Sequence, residues 1–156
     1  MITIKKDTLS ADLENPGSVS LLFASHKRPG GGYKNHENGQ EEHIARRTDL
    51  VERLSEYLNL YGDNRKPFYI LLKDLKILGT KEKRDFFCCP APVAHLYSDP
   101  YPELEIRIKT ICDKVASYPV FITGTWGCGF FGNNFNDVEA LFKKYATNEK
   151  VIMALK

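Results

Sequence analysis

The stretch Val19-Ser20-Leu21-Leu22-Phe23-Ala24 decides the fold class of this chain. It is a short, mostly apolar run that follows Pro16-Gly17 and precedes a polar loop rich in glycine. Such a run predicts a strand that is covered on both faces, which is the usual environment of a strand in a parallel sheet. The loop that follows would then begin at the carboxyl end of a buried strand.

Further apolar runs alternate along the chain with segments of helical periodicity. Strands are predicted at 2–4, 68–72, 86–89, 120–123 and 151–155, helices at 41–60, 104–115 and 138–145, and the segment around 75–78 is ambiguous. Buried strands that alternate with amphipathic helices predict an α/β sandwich with a largely parallel or mixed sheet. Ligands of such folds bind at the carboxyl ends of the strands.

Length and composition predict one ordinary globular domain over residues 1–156. The chain has 42% hydrophobic and 27% charged residues, and it shows no internal repeat or long linker. A net charge of +2 supplies no broad basic surface of the kind that nucleic acids require. No apolar run approaches the roughly 20 residues that span a bilayer, and the first residues lack the features of a signal peptide. We therefore expect a cytoplasmic protein with no membrane partner.

The cysteines and histidines do not predict a metal site. Cys88 and Cys89 are adjacent, so on an extended chain they point to opposite faces, and Cys112 and Cys128 stand alone. We expect all four cysteines to be small buried residues in a reducing compartment. The histidines show no ligand-like spacing and are expected in solvated loops or on the surface: His26, His36, His43 and His95.

The loop after the first central strand holds Gly30-Gly31-Gly32 and then Gln40-Glu41-Glu42. Three glycines allow positive φ angles and expose backbone N–H groups, which suits either close approach to a phosphate or sugar or a flexible turn. The two acidic residues fall at the predicted start of a helix. They can therefore be simple partners of the helix dipole, or a functional carboxylate pair.

A second glycine-rich loop, 124–133, follows the strand at 120–123 and precedes a helix. Its oriented N–H groups can hold an anion near the helix N-terminus. The string Gly127-Cys128-Gly129-Phe130-Phe131-Gly132 fits GxGxxG, but too little chain follows for the rest of a dinucleotide-binding unit. The aromatic residues Trp126, Phe130 and Phe131 can either fold into the core or form a wall against a ribose or base.

These motifs together resemble the microbial type of poly(ADP-ribose) glycohydrolase, a branch of the macrodomain fold. A Gly triplet followed after seven residues by Gln-Glu-Glu is the family signature, and the loop from Trp126 to Asn133 is similar to the family's Trp-Gly-Cys-Gly loop. Weaker similarities are Asp7-Thr8-Leu9 and Pro90-Ala91-Pro92. The chain departs from the pattern in having only 29 residues before the triplet, and also at Ser25, 43–46 and Phe130.

The resemblance implies a three-layer α/β/α macrodomain-like sandwich with a mixed, largely parallel sheet. It implies that Glu42 is the catalytic acid, that Glu41 positions the ribose hydroxyls, and that Gln40 orders the loop. Glycoside cleavage needs a carboxyl group that is protonated near neutral pH, and burial beside a second carboxylate raises a glutamate pKa in that direction. The other implied substrate-binding residues are Gly30, Gly31, Gly32, Gly127, Cys128, Gly129, Phe130, Phe131, Gly132, Asn133 and, for the adenine amino group, Asp7.

The expected function is therefore that of an ADP-ribosyl glycohydrolase, which cleaves ribose–ribose or ribose–protein O-glycosidic bonds. The alternative is a module that binds ADP-ribose or a related nucleotide without cleaving it, either as a reader or to sequester it. The expected partner is ADP-ribose or an ADP-ribosylated macromolecule, and nucleic acid is expected only as such a modified target. The resemblance calls for no metal and no cofactor, and a monomer is expected.

Overall fold

The computed structural model describes all 156 residues of the chain. The strands are β1 (Ile2–Ile4), β2 (Ser18–Phe23), β3 (Ile70–Lys76), β4 (Lys83–Cys89), β5 (Val120–Gly124) and β6 (Lys150–Ala154). The α-helices are α1 (Thr8–Leu13), α2 (Gln40–Arg47), α3 (Leu50–Leu54), α4 (Tyr101–Lys114) and α5 (Phe135–Tyr145). Short 3₁₀ segments are Tyr33–Asn35, Ser55–Leu60 and Ala94–Leu96.

The six strands form one sheet in the order β1-β6-β5-β2-β4-β3. Every neighbouring pair is parallel except β3 with β4, which is antiparallel. β2 lies inside the sheet between β5 and β4, and five of its six residues are buried. The predicted α/β class with a mixed, largely parallel sheet is therefore confirmed.

Two apolar layers cover the faces of the sheet, because side chains alternate along each strand. In β2, Leu21 packs on the face covered by α4 and α5, whereas Leu22 packs on the face covered by α2 and α3. Cys89 packs on the same face as Leu21 and Cys88 on the same face as Leu22, which confirms that the two cysteines point to opposite faces. Helices on both faces make the three-layer arrangement that was expected.

The single helix predicted over 41–60 is wrong in its extent. The chain breaks after α2 because Thr48 is extended (φ −140°, ψ 173°) and forms an isolated bridge with Ile77. Asp49 Oδ1 then accepts from the Lys76 N–H at 2.9 Å, which ties the break to the end of β3. After α3 the chain continues as 3₁₀ helix, and Leu58, predicted on the apolar stripe, is exposed.

The segment around 75–78, which was ambiguous in the sequence, continues β3, and the chain then turns at 77–82 into β4. β3 has a bulge between Leu72 and Leu75, where Asp74 adopts φ 58°. No helix of the structure is both long and apolar enough to cross a membrane.

Helix α1 was not predicted, and it carries a buried charge. The Asp12 carboxylate accepts from Ser18 and Ser20 hydroxyls at 3.1 and 2.5 Å, and its Oδ1 lies 3.0 Å from Arg84 Nε. The Arg84 contact pairs the charges without a well-aligned hydrogen bond. Burial raises the pKa of Asp12 to about 6 despite these partners. This ion pair lies at the amino end of β4, whereas both glycine-rich loops leave the carboxyl ends of β2 and β5.

Candidate active site

A cavity of about 1090 Å³ opens at the carboxyl edge of the sheet. Residues from both glycine-rich loops line it, as the parallel pairing of β2 with β5 requires. Its volume is slightly above the usual range for small-molecule sites, so a nucleotide-sized ligand fits. The prediction that the two loops face one shared site is confirmed.

Glu41 lies at the start of α2 and is only 2% exposed. Its Oε1 accepts from the Ser25 N–H at 2.8 Å, and its Oε2 accepts from the Gly30 N–H at 3.1 Å. Burial, with the nearby Glu42 charge, raises the pKa of Glu41 to about 8 even though the two N–H groups favour the ionised form. Glu41 is therefore a fixed carboxyl group that is largely protonated at neutral pH.

Glu42 occupies a different environment from its neighbour. It is half-buried and lines the cavity, and its Oε2 accepts from the Gly32 N–H at 2.9 Å. Its Oε1 accepts no hydrogen bond from the protein and lies against Gly39. One carboxylate oxygen of Glu42 is thus anchored and the other remains available to a ligand.

The glycine triplet holds the two glutamates. Gly30 and Gly31 have φ angles of 78° and 57°, which glycine adopts without strain. The N–H groups of Gly30 and Gly32 donate to Glu41 and Glu42, and the Gly31 N–H donates to the Arg28 carbonyl at 3.1 Å. The triplet amides were expected to contact diphosphate or ribose, but in the structure all three donate to groups of the protein, two to α2 and one to the loop itself.

Gln40 completes the junction between α2 and β2. Its Oε1 accepts from the Phe23 N–H at 2.9 Å, and its Nε2 donates to the Leu21 carbonyl and the Thr8 hydroxyl at 2.8 and 3.1 Å. The amide therefore satisfies the backbone groups at the end of β2 and connects them to α1. This geometry matches the ordering role expected for Gln40.

The second loop is closed by Asn133. Its Nδ2 donates to the Pro92 and Gly127 carbonyls at 2.7 and 2.9 Å, and a Cβ on Gly127 (φ 72°) would lie 2.9 Å from that nitrogen. The N–H groups of Gly129, Phe130 and Phe131 donate to no group of the protein, so they remain available for an anion. The loop N–H groups of Cys128, Gly132 and Asn133 are taken by loop carbonyls.

The aromatic residues of this loop have separate environments. Trp126 is core: it is fully buried, and its Nε1 donates to the Cys89 carbonyl at 2.9 Å. Phe131 is half-buried at the cavity wall, and Phe130 beside it is fully exposed at the rim. Burial raises the pKa of the Cys128 thiol to about 11, so this cysteine is not a nucleophile at neutral pH.

Asp7 also lines the cavity, together with Lys156. Its carboxylate caps α1 by accepting from the Ser10 N–H at 2.9 Å and the Ser10 hydroxyl at 2.7 Å. Its Oδ1 is also 3.9 Å from His43 Nδ1. The adenine contact expected for Asp7 therefore competes with partners that the carboxylate already has.

His26 does not lie where the sequence predicted. A surface or loop position was expected, but the ring is 2% exposed, lines the cavity and packs on Phe131 with ring centroids 5.5 Å apart. Its Nε2 lies 3.0 Å from Arg107 Nη1. Nothing in local spacing signals this contact, because the two residues are 81 positions apart.

Titration of Glu41 predicts how stability depends on pH. Its pKa is raised from 4.5 to about 8, so the folded chain holds this proton more tightly and the free energy of unfolding falls as pH rises through that window. Between pH 7 and 8 Asp12 (folded pKa about 6) is largely ionised, and His26 is largely neutral both in the folded chain (pKa about 4) and in the unfolded chain (pKa 6.5). We expect chemical denaturation to show decreasing stability across that interval, and Glu41→Gln to flatten the slope. An equal slope in Glu41→Gln would contradict the raised pKa.

Residues 3–79, just under half of the chain, match the family described as the catalytic domain of microbial-type PARG, where PARG is poly(ADP-ribose) glycohydrolase. The Deinococcus radiodurans PARG structure in complex with ADP-ribose matches with a TM-score of 0.84 and 22% identity, over 98% of this chain and 76% of that one. The Thermomonospora curvata PARG structure bound to the inhibitor ADP-HPD matches with a TM-score of 0.79 and 22% identity, over 99% of this chain and 72% of that one.

No curated protein matches the sequence. The family match covers the Gly triplet and the Gln-Glu-Glu motif, and the structural matches extend through the second loop to the end of the sheet. The resemblance drawn from the sequence is thereby confirmed. Residues 3–79 are similar in sequence to the catalytic domain of microbial-type poly(ADP-ribose) glycohydrolases, and over 98–99% of its length the chain has the fold of the bacterial glycohydrolase structures.

Proposed function

We propose that this protein is an ADP-ribosyl glycohydrolase, which hydrolyses the O-glycosidic bond between ADP-ribose and a further ribose or a protein side chain. One observation carries the proposal: Glu42 presents a free carboxyl oxygen to the cavity while its other oxygen is anchored on Gly32. A fixed, accessible carboxyl group is what acid–base cleavage of a glycoside requires, because it must meet both the leaving oxygen and the incoming water.

In this proposal Glu42 gives its proton to the leaving oxygen and then takes one from the water that attacks the anomeric carbon. The transition state resembles an oxocarbenium ion, which nearby negative charge stabilises. Glu41 positions the ribose hydroxyls from its buried place behind Glu42. Its rigid attachment to Ser25 and Gly30 fixes that geometry.

The free N–H groups of Gly129, Phe130 and Phe131 are proposed to bind the diphosphate. Phe131 would then lie against the ribose next to the scissile bond, with His26 behind it. Cys128, Gly132 and Asn133 shape the loop through backbone and side-chain bonds. Because backbone amides supply the positive partial charge, the near-neutral chain needs no basic surface to hold this anionic ligand.

The proposal is tested by incubating the purified protein with poly(ADP-ribosyl)ated and mono-ADP-ribosylated protein in parallel and identifying the products by mass spectrometry. Release of ADP-ribose from either substrate supports the enzyme. Binding of ADP-ribose in calorimetry without release identifies the alternative, a non-catalytic binding module. Absence of both binding and release would contradict both functions.

Three further properties stay predictions from the sequence: one domain over residues 1–156, a monomer, and a cytoplasmic location. Size-exclusion chromatography with light scattering tests the oligomeric state, and limited proteolysis tests the single domain. The expected partner is ADP-ribose or an ADP-ribosylated macromolecule, with nucleic acid only as such a modified target.

A further inference from the structure

Arg107 is a fully buried arginine in the middle of α4, and the function proposed above does not use it. All five of its N–H groups have acceptors. Nε donates to Glu103 Oε1 at 2.9 Å on its own helix, which supplies the compensating charge. Nη1 donates to His26 Nε2 and to the Pro90 carbonyl, each at 3.0 Å. Nη2 donates to the Arg65 carbonyl at 3.4 Å and to the Tyr97 hydroxyl at 3.2 Å.

Outside its own helix, Arg107 thus joins four separate segments, and each contributes to the cavity wall. His26 lines the cavity itself. The three other partners lie within two positions of lining residues, which are Asn64 beside Arg65, Ala91 beside Pro90, and His95 near Tyr97. We call this part of the cavity the Arg107 wall: His26, Asn64, Ala91 and His95.

The His26 ring depends on Arg107 for its orientation. A guanidinium has no acceptor, so the contact requires Nε2 to accept and places the ring proton on Nδ1. Nδ1 itself has no hydrogen-bond partner, and burial and the Arg107 charge hold the pKa of His26 near 4. The ring is therefore neutral, and Arg107 is its polar anchor while Phe131 packs against its face.

We propose that Arg107 is a positioning residue for glycoside cleavage, which acts from outside the cavity by fixing the Arg107 wall and, through His26, the ring of Phe131. The inference rests on the proposed function for its catalytic consequence, although the geometry of His26 can be tested without it. Lysine cannot replace arginine here, because an ammonium has three donors and no planar fork to reach segments on several sides.

Arg107→Lys tests the proposal, with Arg84→Lys as the matched control. Arg84 is also a largely buried arginine paired with a carboxylate, but it lies at the opposite end of β4 and lines no part of the cavity. We expect Arg107→Lys to lower kcat about 10–100-fold, as a small misplacement of reacting groups does, with KM changed less than about threefold. Arg84→Lys is expected to lower the melting temperature and leave kcat unchanged.

A second readout is independent of turnover. Nitrogen-15 NMR of the His26 ring should show the neutral Nδ1–H form in the wild type and in Arg84→Lys, and a mixture of tautomers in Arg107→Lys. If Arg107→Lys does not fold, Tyr97→Phe replaces it, because this change leaves one guanidinium N–H unpartnered without removing the charge. It should lower kcat by a smaller factor than Arg107→Lys.

Three results would overturn the inference: an unchanged His26 tautomer in Arg107→Lys, an unchanged kcat in Arg107→Lys or in its substitute, or an equal kcat loss in Arg84→Lys. Failure of the proposed function has a different signature. In that case the wild type releases no ADP-ribose, while the NMR comparison still reports whether Arg107 fixes His26.

Discussion

Glu42→Gln is expected to reduce the release of ADP-ribose by about 10²–10⁴-fold, the usual contribution of a general acid–base group. Glutamine has nearly the same shape, and its carbonyl can still accept from the Gly32 N–H. It cannot give or take a proton at the leaving oxygen. Affinity for free ADP-ribose, measured by calorimetry, should therefore be preserved while product formation, measured by mass spectrometry, is lost.

The control for this change is Glu56→Gln, which alters an exposed carboxylate in the 3₁₀ segment Ser55–Leu60, away from the cavity. It should match the wild type in both assays. Unchanged turnover in Glu42→Gln would remove Glu42 from its role as the acid. Lost binding together with lost turnover would show that Glu42 acts in ligand recognition instead.

The two neighbouring glutamates have different environments, which supports the different roles proposed for them. The raised pKa lies on Glu41, yet both of its oxygens are held by backbone N–H groups and the side chain is buried. Glu42 has the exposure and the free oxygen. The greater exposure and the free oxygen of Glu42 therefore support the proposal that Glu42, rather than the anchored Glu41, is the acid. Glu41→Gln should then lower turnover, because the ribose would be misplaced. In addition, one of the backbone N–H groups that donate to Glu41 would face the glutamine NH₂ group, which cannot accept a hydrogen bond.

Much of the fold could be predicted from the sequence because its signals are local. The apolar run in β2 and the periodicity of α4 report burial directly, and strand–helix alternation implies a parallel sheet. The shared site followed from one topological rule, since loops after adjacent parallel strands leave the same edge. Helix α1 was missed because it is only six residues long.

The errors have a common physical cause, which is contact between distant parts of the chain. The helix break at Thr48 coincides with its bridge to Ile77, and the buried His26 contacts Arg107, 81 positions away. The glycine triplet was expected to bind a ligand through its backbone N–H groups, because a sequence does not reveal which acceptors in the folded protein those groups will meet. In the folded chain α2 lies beside the loop, and Glu41 and Glu42 accept from the Gly30 and Gly32 N–H groups.

Gly31→Ala should remove most activity while the chain still folds. A Cβ at this position would overlap Glu42 Oε2 and lie 3.0 Å from Glu41 Oε1. The Glu42 side chain can rotate away from the added Cβ, but its carboxylate then leaves its anchor on Gly32 and its proposed place beside the substrate. We expect kcat to fall about 100-fold through this misplacement, and the backbone strain of alanine at φ 57° to cost about 1–2 kcal/mol. Steady-state kinetics and chemical denaturation measure the two effects separately.

Gly79→Ala is the control for Gly31→Ala, because it introduces the same kind of backbone strain without displacing the carboxylates. Gly79 lies in the turn between β3 and β4 with φ 77°, and a Cβ there would meet no atom within 4 Å. It should therefore lose a similar amount of stability as Gly31→Ala and keep full activity. Equal kcat in the two variants would mean that the approach of Gly31 to the glutamates has no part in catalysis. A large loss of kcat in Gly31→Ala alone would show that the glycine triplet acts by leaving room for the carboxylates rather than by binding a phosphate. Alanine keeps the backbone N–H group, so the variant changes only the space beside Glu42.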